Sequence, residues 1–245
     1  MKISANLLTC GRCLAPTVWN VKNVPTPYRL YYVEGGQAFF TLNGKEFQLK
    51  KNHFYFFPST LPFLIRQNNE DRLNHMYFNF IINQPIVAAE PICASLNEHP
   101  SFPLFLEIMI DAVTSFSQTK DPAKKDVACH CLEAFLSLLF TVKPLPPLDD
   151  NAVIRGIEYM ESHFKENITI KEVARELYIN EDHFIRKFKK AMNMTPYKYL
   201  SRLRGAVALE LISSGSTLEA AAEGSGYQSA SSLSHALKKQ RISEA

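Results

Sequence analysis

Two stretches in the last third of the chain decide its reading: TIKEVARELYINEDHFIRKFKK, Thr169–Lys190, and TLEAAAEGSGYQSASSLSHALKK, Thr217–Lys239. Aligned on their threonines, Ile170 pairs with Leu218 and Ala174 with Ala222. After one inserted residue, Phe184 pairs with Leu233, Phe188 with Leu237, and Lys189-Lys190 with Lys238-Lys239. Each copy reads as a short helix, a tight turn and a second helix ending in Lys-Lys, the pattern of a helix-turn-helix. The small alanine lets the first helix cross closely over the second. The apolar pair four residues apart anchors the second helix to a core. Its other face stays polar and suits a major groove, and its terminal lysines can reach phosphates.

The flanking sequence continues the helical pattern. Val153, Ile157, Met160 and Phe164 form one stripe ahead of the first copy. Thr169 and Asn180 stand where N-caps are expected. Between the copies, Pro196 opens a long helix at its tolerated first position; it carries Leu200, Leu203, Val207, Leu211 and Ile212, and Gly215 follows it. Thr217 starts the next helix, Gly226-Tyr227 ends it, and the last helix starts near Ser229. Upstream, VKPLPPLDDN (Val142–Asn151) has the composition of a semi-rigid Pro-rich linker. The chain's net charge of +3 lies beyond it: residues 1–150 hold 13 Lys and Arg against 13 Asp and Glu, and residues 151–245 hold 14 against 11. A basic segment beside a neutral one fits a chain with one nucleic-acid-facing part.

The front half has a different period. Tyr28–Glu34, Ala38–Leu42, Phe54–Phe57 and His75–Ile82 are short, aromatic, alternating runs separated by turn signals, among them Asn43-Gly44, Pro58 and Pro62. This pattern argues for a β-barrel or a β-sandwich. Residues 102–118 and 124–141 then read as two amphipathic helices, which either cap the sheet structure or form a dimer seam.

Here the chain resembles the AraC/XylS family of transcription regulators. HFIRKFKK followed by MTPYKYLSRLR carries the resemblance over residues 153–240, and YRLYYVEGGQAFFTLNGKEFQLKKNHFYFFP with MYFNFII carries a looser one in front. The resemblance implies an α+β two-domain chain. Residues 1–142 would be a cupin-like β-barrel with two helices, for sensing and dimerisation; 143–151 the linker; and 152–245 an all-α double helix-turn-helix domain. Two recognition helices would then enter successive major grooves, about 34 Å apart. The base-facing positions it implies are Asp182, Ile185 and Arg186 in the first copy and Ala230, Ser231, Ser234 and His235 in the second. Arg186 matches the O6/N7 pair of guanine. Lys189, Lys190, Lys238 and Lys239 are the phosphate candidates, with Arg204 (or Arg202) on the connecting helix. The implied partners are double-stranded DNA, a small-molecule effector in the barrel, a second copy of the chain and RNA polymerase.

The second copy departs from the family pattern. Ala221 stands where a large aliphatic residue is usual, Ser225 where an apolar residue is usual, and Gly224 weakens its helix by roughly 1 kcal/mol relative to alanine. The sequence ends at RISEA, where family members continue into a Gly-x-Ser-Pro turn and a closing helix. The second motif is therefore expected to be the weaker.

Other chemistry is less supported. Hydrophobic residues at 46% and charged residues at 21% fit an ordered globular chain. No secretory signal and no apolar run of about 18 residues is read, so a cytoplasmic protein off the membrane is expected. The five cysteines are expected as free thiols. Cys10 and Cys13 form a CxxC, but a zinc site would need two more ligands. Cys129, His130 and Cys131 are far off in sequence and, on a helix, point in different directions. His53 and His75 stand apart and no His-x-His occurs, nor a phosphate-binding glycine loop, GxSxG or HExxH. No cofactor and no catalytic residue is expected. The alternatives are a cupin-type small-molecule-binding protein or enzyme whose helical tail no longer binds DNA, and an adaptor built on the two amphipathic helices.

Overall fold

A computed structural model describes residues 3–17, 20–22, 27–42, 44–59, 64–82, 86, 88, 90–144, 151–192, 194–213 and 215–242. The chain divides into two compact units, one built mainly on residues 28–82 and 88–146 with the first strand, the other on residues 147–245.

The N-terminal unit contains β1 (Ala5–Leu14), β2 (Asn20–Lys22), β3 (Tyr28–Gly35), β4 (Ala38–Leu42), β5 (Lys45–Gln48), β6 (His53–Phe57), β7 (Leu64–Gln67), β8 (Asn74–Ile82) and β9 (Ile92–Ser95), then α1 (Phe102–Thr119) and α2 (Pro122–Val142). The strands form two antiparallel sheets, β1-β8-β3-β6-β9 and β2-β7-β4-β5. Strand β4 alternates as its sequence predicts: Ala38, Phe40 and Leu42 are buried while Phe39 and Thr41 are half-buried. The central strand β3 is buried on both faces. Tyr31 and Val33 join Phe40, Tyr55, Phe57 and Ile65 in a core between the sheets. From the other face of the same sheet, Phe54 meets Phe102 and Phe135, and Phe56 meets Phe140, under α1 and α2.

The expected cupin-like β-barrel is corrected by this topology. The sheets are open: β1 and β9 are edges of one, β2 and β5 of the other, and among the described residues no ladder joins the two. Alternation and turn spacing are the same in a sandwich and a barrel; closure depends on whether edge strands pair, which the pattern does not encode. Leu42 pairs with Lys45, in keeping with a two-residue connection at Asn43-Gly44, although Asn43 itself, Pro62 and residues 145–150 of the linker lie outside the described residues. The CxxC lies in β1, with Cys10 opposite Phe78 and Cys13 opposite His75. Three residues of extended chain separate their Cα atoms by about 10 Å, too far for a disulfide. The cysteines are free thiols.

The C-terminal unit is all helical: α3 (Asn151–His163), α4 (Ile170–Glu176), α5 (Glu181–Met192), α6 (Pro196–Ser213), α7 (Leu218–Gly224) and α8 (Ala230–Ile242). Among the described residues, no helix of the chain is long and apolar enough to cross a membrane.

Candidate nucleic-acid interface

The two helix-turn-helix motifs are the same backbone structure written twice. In the first, the N–H groups of Leu177, Tyr178 and Ile179 donate to the carbonyls of Val173, Arg175 and Ala174; in the second, Ser225, Gly226 and Tyr227 donate to Ala221, Glu223 and Ala222. Each residue is matched by the one 48 positions later. The turn residues Tyr178 (φ 56°) and Gly226 (φ 79°) both hold the left-handed conformation that stops the first helix.

Side-chain caps set the helix starts. Thr169 and Glu172 form a reciprocal capping box on α4, and Thr217 accepts from the Ala220 N–H on α7. Asn180 Oδ1 accepts from the N–H groups of Asp182 (2.9 Å) and His183 (3.3 Å) at the start of α5. On α8, Ser229 and Ser232 each accept the other's backbone N–H at 3.1 Å.

Anchoring one face of each second helix turns the other face outward. On α5, Phe184, Phe188 and Met192 are buried, and Phe188 packs edge-on against Tyr199 of α6 at 5.6 Å. Asp182, Arg186, Lys189 and Lys190 are exposed and Ile185 is half-buried. Spacings of three and four residues place Asp182, Ile185, Arg186 and Lys189 on one stripe. On α8, Leu233 is buried against Ala208, Ala221 and Ala222, with Leu237 beside it. Ser231, His235, Lys238 and Lys239 are exposed, and Ala230 and Ser234 are half-buried. Ser231, Ser234, His235 and Lys238 repeat the α5 stripe.

The connecting helix spends its arginines inside the unit. Arg204 Nε donates to the Phe164 carbonyl at 2.7 Å and a terminal guanidinium nitrogen donates to the Glu166 carbonyl at 2.6 Å, while Arg202 is buried. Burial lowers the Arg204 pKa, and the nearby Tyr227 raises it. The same Phe164 carbonyl faces Gly226: a Cβ there would approach it to 2.3 Å. Arg204 and the turn of the second motif thus both dock on the segment after α3, which ties the two motifs together.

Two features escape a sequence reading. Tyr199 Oη donates to Glu161 Oε1 at 2.5 Å, and burial pushes the Glu161 carboxyl up to about 8, against the lowering effect of the tyrosine bond. Ser225, polar where an apolar residue is usual, is fully buried and donates to the Ala221 carbonyl, so its hydroxyl is satisfied within α7.

A family model described as "AraC-like ligand binding domain" matches residues 24–152, more than half of the chain, and one described as "Helix-turn-helix domain" matches residues 173–241. The chain belongs to the AraC/XylS family. That family is one of transcription regulators, not of enzymes. Among solved structures, ToxT of Vibrio cholerae O395 aligns over 97% of this chain and 93% of its own, with a TM-score of 0.62 at 13% identity. An apo form of a ToxT point variant from strain SCE256 aligns over 98% and 93%, with a TM-score of 0.63 at 14% identity. These likenesses are of fold. In sequence, the helix-turn-helix-type regulator YisR of Bacillus subtilis is 25% identical over 114 residues, and LumQ of Photobacterium leiognathi, named a probable transcriptional regulator, is 30% identical over 111. These alignments cover 46% and 45% of this chain, and the chain spans only 39% and 44% of the length of the two relatives.

In the AraC-like ligand-binding region, the inner face of the larger sheet is not wholly apolar. Asn79 Nδ2 on β8 donates to Thr9 at 2.8 Å, but among the described residues Asn79 Oδ1 meets no hydrogen-bond partner, nor does the hydroxyl of Ser59, fully buried in the turn after β6. Burial lowers His75 to about 4, so it is neutral near pH 7.

Proposed function

We propose that the chain is a sequence-specific DNA-binding transcription regulator, with residues 152–245 reading duplex DNA, 143–151 as the linker and residues 1–142 sensing an effector and pairing with a second copy. The observation that carries this reading is the repeated motif: two capped, core-anchored helices, each with a polar stripe ending in two lysines. Arg186 would take a guanine through its paired donors, Asp182 a cytosine amino group, and Ser231, Ser234 and His235 the second box, with Ile185 and Ala230 as apolar contacts. Lys189, Lys190, Lys238 and Lys239 would hold phosphates. Arg204, committed to two carbonyls, would reach DNA only with its remaining donors.

The effector would be a small molecule lodged between the sheets, where Asn79 offers a buried polar atom. One ToxT structure carries an unsaturated fatty acid, which makes an apolar acid a first compound to try. Leu104 and Ile108 on α1 and Val127 on α2 are exposed apolar residues that would suit a second copy. RNA polymerase is the partner through which such a protein would act, in the cytoplasm.

The test is selection from a random duplex library with the full chain. Enrichment of two boxes about one helical turn apart is expected. Salt-sensitive binding with no enriched sequence would overturn the specific-regulator reading.

A further inference from the structure

The helix preceding the recognition helix differs in charge between the motifs, and the difference falls on one face. On α4, Lys171 and Arg175 are spaced four residues apart, so they share a stripe, and Tyr178 stands in the turn that follows. All three are exposed, Tyr178 at 90%. The residues 48 positions later are exposed Glu219 and exposed Glu223, which share the matching stripe of α7, and Gly226 in the turn that follows. Two cations and a phenol in one copy become two carboxylates and a bare backbone in the other.

Tyr178 is also the less comfortable occupant of its position. A bulky residue at positive φ is strained, and the repeat shows glycine meeting the same backbone requirement. Its ring lies in solvent and adds no packing that would offset the strain. Of the acidic neighbours, Glu172 lies on the flank and is engaged by the Thr169 N–H at 2.7 Å and hydroxyl at 2.9 Å. Glu176 lies one position round the helix from Arg175 and is exposed.

In a helix-turn-helix the second helix enters the groove while the first crosses the sugar-phosphate backbone. We propose that Lys171, Arg175 and Tyr178 clamp the DNA backbone and make the first motif the anchor, whereas Glu219 and Glu223 hold the second motif to a weaker, more readily released contact. This rests on the DNA-binding reading and adds contacts that lie outside both recognition helices. Phosphates meet donors at α4 and like charges at α7, so the asymmetry enters affinity and its salt dependence rather than base preference.

The test uses the full chain on its selected duplex, titrated over a range of salt concentrations. Lys171→Glu combined with Arg175→Glu is expected to weaken binding at least about tenfold and to make the log–log salt slope shallower by about 2. Glu219→Lys combined with Glu223→Arg is expected to tighten binding and steepen the slope by a similar amount, a gain that a misfolded chain does not give. Tyr178→Gly should weaken binding severalfold without lowering the melting temperature. If the wild type binds but both charge-reversed proteins keep its slope, this inference falls alone. If the wild type shows no salt-dependent duplex binding, the DNA-binding reading falls and takes this inference with it.

Discussion

The first and second helix-turn-helix motifs share their backbone bonds and differ in what fills them. The first is packed with large side chains: Phe184 and Phe188 lie 5.5 Å apart, with Leu177 buried at the end of α4. The second replaces Leu177 by Ser225, pairs Ala221 and Ala222 with Leu233, and lets α6 approach closely enough that a Cβ on Gly224 would meet Leu211 Cδ1 at 2.7 Å. Caps and the left-handed turn residue therefore set the motif, and side-chain volume sets how tightly each copy is held. The serine and glycine that read as defects in the second copy have structural places, one satisfied by the Ala221 carbonyl and the other lying beneath Leu211.

Substitutions at matched positions would sharpen or break this contrast. The largest effect is expected at the turn of the second motif. Gly226→Ala adds a Cβ 2.3 Å from the Phe164 carbonyl in a left-handed backbone, and should cost about 3 kcal/mol or more by denaturant unfolding. Tyr178→Gly at the matched turn should have the opposite sign. If both substitutions destabilise equally, the turns are not equivalent.

The next effect lies on α3 and α6, the helices that flank the first motif. Glu161 titrates near 8 in the folded chain against 4.5 as its ordinary value. Its contribution to stability is therefore full below about pH 4.5 and lost as pH rises through about 8, on the order of a few kcal/mol in all. Glu161→Gln should flatten that decline in urea melts between pH 5 and pH 9. An unchanged pH profile would place the titration elsewhere.

Smaller still, Tyr178→Gly should raise stability by about 0.5–1 kcal/mol through relief of the left-handed backbone, read as a shift in melting temperature. A clear loss would show that the exposed ring packs on something. Smallest is Gly224→Ala. The gain of roughly 1 kcal/mol in helix propensity opposes the contact with Leu211, whose flexible end can move, so the net change should lie within about 1 kcal/mol of zero.

The helical half was legible in the sequence because its signals are local. Thr169, Asn180, Pro196, Thr217 and Ser229 mark the helix starts from one side chain each, and the repeat spacing returns in the backbone bonds. The front half was less legible because its organisation is not local. The long strand β1 contains Gly11 and the CxxC, which read as a motif rather than as strand; Gly11 lies under the ring of Tyr77 on β8. The short strands β7 and β9 carry too few alternating residues to stand out. The open edges of both sheets follow from pairings made far along the chain. For the site, the outward stripes of α5 and α8 could be placed by helical spacing alone. The Glu161–Tyr199 pair and the use of Arg204 as a carbonyl clamp could not, because each joins residues about 40 positions apart that only the fold brings together.

On the proposed reading, the first motif reads bases through Arg186 and dominates recognition. The most direct measurement compares Arg186→Ala with His235→Ala, at matched stripe positions, in affinity and base preference on the selected duplex. Arg186→Ala is expected to lose about 1–3 kcal/mol and to relax preference at one base pair, with a smaller loss for His235→Ala. Unchanged affinity and preference for Arg186→Ala, or a larger loss at His235, would contradict it.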